Sequence, residues 1–162
     1  MQNSAIARPM QHALDSQTAH PASASEATLT PRAKALVWVL QVVAAGILGQ
    51  TLFFKFTGAP EAVALFTKLG VEPWGRLATG VLELATVALL LVPRLAALGG
   101  LAAAGSMAGA IFLHLTVLGI EVEGDGGTLF ALAIVTLLAG AGVAWIRRTS
   151  LPVVGQRFGS DA

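Results

Sequence analysis

Residues 95–120 read LAALGGLAAAGSMAGAIFLHLTVLGI, a run without one Asp, Glu, Lys or Arg. A helix rising about 1.5 Å per residue would carry that run across a hydrocarbon core of about 30 Å with residues to spare. Working outward, residues 33–54, 74–92 and Thr128–Ile146 are likewise long, apolar and nearly charge-free. The expected fold class is therefore all-α: a polytopic membrane protein built as a bundle of four transmembrane helices. The intervening residues, and any polar side chain inside a span, must then be read against lipid.

Composition supports the class. The 162 residues are 55% hydrophobic and 12% charged, with a mean hydropathy of +0.74, outside the range of soluble globular domains. Ten basic residues face nine acidic ones, a net charge of +1, so no bulk field recruits nucleic acid or an acidic partner. There is no cysteine, which excludes disulfide frameworks, thiol relays, thiolate metal sites and cysteine nucleophiles.

Three segments are expected. Residues 1–31 are rich in Ala, Ser, Thr, Gln and His without apolar periodicity, and read as a disordered N-terminal tail. A cleavable signal peptide is not expected there, because the first apolar run begins beyond residue 30 and has the length of a full span. Residues 32–148 form the membrane domain and residues 149–162 a C-terminal tail.

Basic residues set the orientation. Arg32, Lys34, Arg94, Arg147 and Arg148 border the spans on one side. The other side holds Lys55, Lys68 and Arg76 beside Glu61 and Glu72, and the acidic loop with Glu121, Glu123 and Asp125. The positive-inside rule then places both termini in the cytoplasm of an inner-membrane protein, with Lys55, Lys68 and Arg76 reducing the contrast.

Between the first two spans, residues 60–70 read PEAVALFTKLG. Proline at the first helical position and glycine just past the end predict a short helix, and Val63, Phe66 and Leu69 give it an apolar stripe suited to the membrane interface. The turn Val92-Pro93-Arg94 makes the second and third spans antiparallel neighbours. The third span is the most tightly packable: Gly99-Gly100 leads into a small-residue run in which Gly105 with Gly109 and Ala104 with Ala108 are spaced for close helix approach, which also makes it the expected face for a homodimer.

Polar residues within the spans are the candidate site. Glu83 lies seven residues beyond Arg76, about 10 Å deeper, near mid-membrane. Arg76, Thr79, Gly80, Glu83 and Thr86 share one helical face. Lys55 closes the first span, with Gln50 and Thr51 about a turn below it, and His114 lies near the same side on the third span. Lys55, Glu83, His114, Arg76 and Gln50 are the expected ligand-binding residues, with Phe53, Phe54 and Phe56 as apolar walls. A packing reading stands beside each: Lys55 can snorkel or pair with Glu83, and His114 can be a hydrogen-bonded core residue. A bis-histidine haem is not expected, because His12 and His20 are both in the tail. No metal site is expected in the Glu121–Asp125 region, which lacks the spacing of a calcium loop and reads as a solvated turn with Thr128 as N-cap of the fourth helix.

The order Lys55-Phe56-Thr57-Gly58, Phe66-Thr67-Lys68-Leu69-Gly70, Pro73, Arg76, Gly80 and Glu83, followed by the small-residue third helix with Met107, Ala110 and His114, resembles the DoxX family of small four-helix membrane proteins. The resemblance covers about residues 33–148. It implies a subunit associated with a membrane oxidoreductase system, with Lys55 and Glu83 at the family's recurrent positions. Because cysteine is absent, thiol chemistry would belong to a partner subunit, and contact with a quinone or lipid becomes the intrinsic property. No self-contained catalytic motif marks the chain as an enzyme. Three functions stay open: a subunit binding a quinone-like or amphipathic small molecule, a structural partner subunit, and a small proton-linked transporter, which paired helix breaks would favour but the second and fourth spans lack.

Overall fold

The computed structural model describes residues 29–150. Residues 1–28 of the expected N-terminal tail, with His12 and His20, and most of the C-terminal one lie outside the described residues. Those described are helical, with no strand among them: α1 (Pro31–Thr57), α2 (Pro60–Lys68), α3 (Trp74–Leu91), α4 (Ala96–Leu113) and α5 (Thr128–Ile146). A π-helical turn, His114–Leu118, extends α4, and a 3-10 turn, Arg148–Ser150, follows α5. Four of these helices are long and apolar enough to cross a membrane, and α2 is the short helix expected between the first two spans.

The termini of α1 follow local chemistry. Thr30 caps its start by accepting from Ala33 N at 3.3 Å, with Pro31 at the first helical position. Gly58 closes its end in the left-handed region at φ 67°, a conformation that only glycine adopts without strain.

Around the bundle, α1 packs against α3 and α5, and α4 packs against the same two, so α1 and α4 lie on a diagonal. The buried face of α1 runs Val37, Gln41, Ala44, Leu48, in alternating steps of four and three that keep one stripe turned inward. Its outer face carries Leu36, Val39, Val42 and Phe53, all exposed. Exposed apolar side chains on every long helix are what a bundle solvated by acyl chains requires.

Within the chain, close helix approach falls at Gly99 and Gly100, where the small-residue run begins, and not at Gly105 and Gly109. A Cβ added at Gly99 would lie 2.5 Å from Leu90 N, and one at Gly100 would lie 2.6 Å from Gly140 O, while one at Gly140 would meet Gly100 O at 2.8 Å. The backbones of α3 and α5 therefore touch α4 at its first turn. Gly105 and Gly109 face open space. The reason is rotational: the tight turn at residues 92–95 fixes the start of α4 against α3 and α5, and Gly105 and Gly109, five and nine residues beyond Gly100, are turned from it by about 140° and 180° at about 100° per residue, onto the outer face.

Arg147 Nη1 donates to Pro93 O at 3.2 Å, which joins the α5 end to the α3–α4 turn. The ends of the bundle are thus chemically distinct. One carries Arg32, Lys34, Arg94 and Arg147; the other carries α2, the acidic loop and a cluster of paired charges.

An ionic cluster at the loop end of the bundle

Lys55 stands in the last turn of α1, where a cation complements the helix dipole. From there its Nζ reaches Glu83 of α3, 2.6 Å from both Oε1 and Oε2. The pair is largely buried, with side-chain exposures of 14% and 8%. Thr51, one turn before Lys55 on the same stripe, places its Oγ1 2.8 Å from Glu83 Oε2 and 2.8 Å from Leu48 O. Its single proton serves one acceptor at a time.

A second ion pair sits above the first. Glu72, before α3, accepts from Arg76 Nε at 2.9 and 3.0 Å and lies 2.7 Å from Arg76 Nη2. Held this way, Arg76 donates through Nη1 to the carbonyl of Lys55, one of the acceptors a helix C-terminus leaves without an intrahelical partner. The result is a continuous chain: Glu72, Arg76, the Lys55 carbonyl, the Lys55 ammonium, Glu83 and Thr51. It contains two anions and two cations, so its net charge is zero, the condition under which charges are tolerated in a low-dielectric bundle. Phe56 lies beside Gly80, one turn before Glu83 on α3, since a Cβ there would meet its ring at 3.1 Å. Phe53 and Phe54 stack edge to face at 5.7 Å and are exposed, so only Phe56 of the three lies against the face that carries Glu83.

His114 is engaged elsewhere. Its Nδ1 is 2.8 Å from Gly119 O, across the π-helical turn, and its ring meets Phe130 of α5 edge-on at 5.6 Å. No hydrogen bond joins it to Lys55 or Glu83. Gln50, on the exposed face of α1, makes no side-chain hydrogen bond and takes no part in the cluster. Of the five expected residues, the structure brings together Lys55, Glu83 and Arg76.

The sequence reading passed over two contributors. Glu72 looks like an ordinary loop acid, and only its i,i+4 spacing to Arg76 signals the pair. Lys68, closing α2, donates from Nζ to Leu118 O at 2.9 Å and ties the interfacial helix to the end of α4. A third, deeper polar residue, Gln41, is fully buried and donates through Nε2 to Leu90 O, while its Oε1 has no partner.

The acidic loop is organised by Asp125, and not by Thr128 as expected. Asp125 Oδ1 accepts from Val122 N and Gly127 N at 2.9 Å each, and Oδ2 accepts from Leu129 N at 2.8 Å. Thr128 is already inside α5 and donates its hydroxyl to Asp125 O at 2.7 Å. Partial burial opposes charge on Asp125, but the three backbone donors from Leu129, Val122 and Gly127, helped by His114, outweigh it and hold the carboxyl below its ordinary range.

No protein-family model, curated protein or solved structure matches this chain.

Proposed function

We propose that the protein is a small non-catalytic subunit of a membrane oxidoreductase system, of the DoxX type its residues resemble. In this reading it holds the head of a quinone-like or other amphipathic small molecule at the loop end of the bundle. The observation that carries it is the Lys55–Glu83 pair, two ionised groups 2.6 Å apart inside a membrane-spanning bundle. Intramembrane charge is costly and marks functional positions more often than surface charge does. An ammonium donor beside a carboxylate acceptor suits a carbonyl or hydroxyl head group, which would exchange into the pair as the two side chains part, while Phe56, beside Gly80 on the face that carries Glu83, offers apolar contact to its ring or tail. Glu72 and Arg76 hold the backbone of Lys55 during that exchange.

The same geometry favours a second reading. Lys55 Nζ already contacts both oxygens of Glu83, and Arg76 is occupied by Glu72 and Lys55 O. A bundle tied by such a network can serve as a structural partner subunit with no ligand of its own. Orientation enters both readings. Lys55, Lys68 and Arg76 blurred the charge contrast between the two ends, yet each is engaged within the fold. Setting them aside leaves the basic residues at the other end, which supports cytoplasmic termini.

Native mass spectrometry of the detergent-purified protein, with Glu83→Gln beside it, separates the readings. A stoichiometric quinone or lipid that is lost in the variant supports the ligand site. No retained small molecule in either sample, with a co-purifying membrane protein, supports the structural subunit and overturns the ligand site.

A further inference from the structure

Gln50 carries a primary amide that makes no hydrogen bond among the described residues. It lies on the exposed face of α1, five residues before Lys55, about 7 to 8 Å deeper into the membrane. At 27 residues α1 is about 40 Å long, so Gln50, seven residues from its end, is inside the hydrocarbon region. Acyl chains offer an amide neither donor nor acceptor. The face around it is regular: Val39, Val43, Gly46, Gln50 and Phe53 follow one another in steps of four and three, the spacing of a seam between two helices. At Gly46, one turn from the amide, an added Cβ would meet nothing within 4 Å, so the surface is notched where a second backbone would approach.

The chemistry of the amide selects the occupant. A primary amide is both donor and acceptor, so a second Gln50 across a two-fold axis satisfies it and is satisfied in return, the self-complementarity an isologous interface requires. The open face of α4 has the glycines, Gly105 and Gly109, but not the polar group. Its nearby hydroxyl, Ser106 Oγ, already donates to Ala103 O at 3.1 Å. We infer that two copies of this chain associate through the Val39–Phe53 face of α1, with reciprocal Gln50 amide bonds beside the Gly46 notch.

Because the chain has no cysteine, single introduced cysteines report the interface without background. Val43→Cys and Phe53→Cys on α1, with Leu101→Cys and Phe112→Cys on α4 as controls, are oxidised in native membranes and read as disulfide-linked dimer on non-reducing gels. Dimer is expected for the α1 positions and not for the α4 positions. Adding Gln50→Leu should weaken association about 3- to 30-fold, as for interhelical polar contacts in membranes, while Gln50→Asn retains most of it. Among the described residues Gln50 makes no side-chain hydrogen bond, so its replacement leaves the fold intact, and unchanged tryptophan fluorescence verifies that the leucine variant is folded. Crosslinking at the α4 positions, crosslinking to a different protein, absence of dimer at all four positions, or indifference to Gln50→Leu would each overturn the inference.

Discussion

Replacing Glu83 by Leu strands the Lys55 ammonium. In the native bundle that ammonium contacts both carboxylate oxygens at 2.6 Å with 14% of its side chain exposed. Removing one member of a buried ion pair costs about 3 to 5 kcal/mol, because the remaining charge stays desolvated. Lys55 sits in the last turn of α1 and can swing its stem toward the interface, so the lower figure, about 3 kcal/mol, applies to Glu83→Leu. Lys55→Met strands Glu83, which is shorter and deeper, and the expected loss is at the upper figure, about 5 kcal/mol. The double substitution removes both charges and fills the space with apolar groups of similar size. Thr51 is not orphaned, since its hydroxyl has Leu48 O at 2.8 Å, and the double variant should lie within about 1 kcal/mol of the native protein.

The assay is equilibrium unfolding in mixed micelles, followed by the fluorescence of Trp38, Trp74 and Trp145, for the native protein, both single variants and the double variant. With single losses of about 3 and 5 kcal/mol and a double loss of about 1 kcal/mol, the expected coupling energy is about 7 kcal/mol. Additive losses, or a Glu83→Leu cost below about 1 kcal/mol, the size of an exposed pair, would show that the two charges are solvated independently and would refute the cluster as described.

Two other substitutions test the packing and the loop. Gly99→Ala drives a Cβ to 2.5 Å from Leu90 N and should destabilise by about 1 to 3 kcal/mol, whereas Gly105→Ala enters open space and should gain up to about 1 kcal/mol of helix propensity; thermal unfolding in detergent gives both signs. Asp125 binds its proton less readily in the folded state than in the unfolded one, so its contribution is present above the ordinary carboxylate pKa of about 3.9 and is lost as pH falls through the lower folded value. Hydrogen-exchange protection across residues 121–130, taken relative to the intrinsic rate at each pH, should fall in that acid range for the native protein, and already at neutral pH for Asp125→Ala, at a cost of about 0.5 to 2 kcal/mol.

The four spans and the short interfacial helix were legible because each rests on a strong one-dimensional signal. Length and apolarity mark a span whatever it packs against, and Pro60 and Gly70 bracket α2 through backbone chemistry of their own. The Lys55–Glu83 pair was legible for a related reason: lipid leaves few other partners for a charge at that depth. Asp125 was not. Its three backbone donors come from residues on both sides of it, and a loop that wraps a carboxylate leaves no periodic trace. His114 and Glu83 share a side of the membrane in the sequence, but depth carries no information about which neighbour a helix turns toward.

Rotation is where that reading fails, and the two glutamines of α1 show why. Gln41 and Gln50 are nine residues apart; at about 100° per residue that is two full turns and a half, so they lie on opposite faces and burying one exposes the other. The sequence alone favoured Gln50, because it is near Lys55. Yet Lys55, Thr51 and Leu48 define the inward stripe in steps of four and three, and continuing those steps through Ala44 reaches Gln41 and never Gln50. The phase of the helix was therefore recoverable from the Lys55–Glu83 pair, once the two were taken as partners. Gln41 then belongs to the core, against the last turn of α3, and the amide at residue 50 is left facing outward.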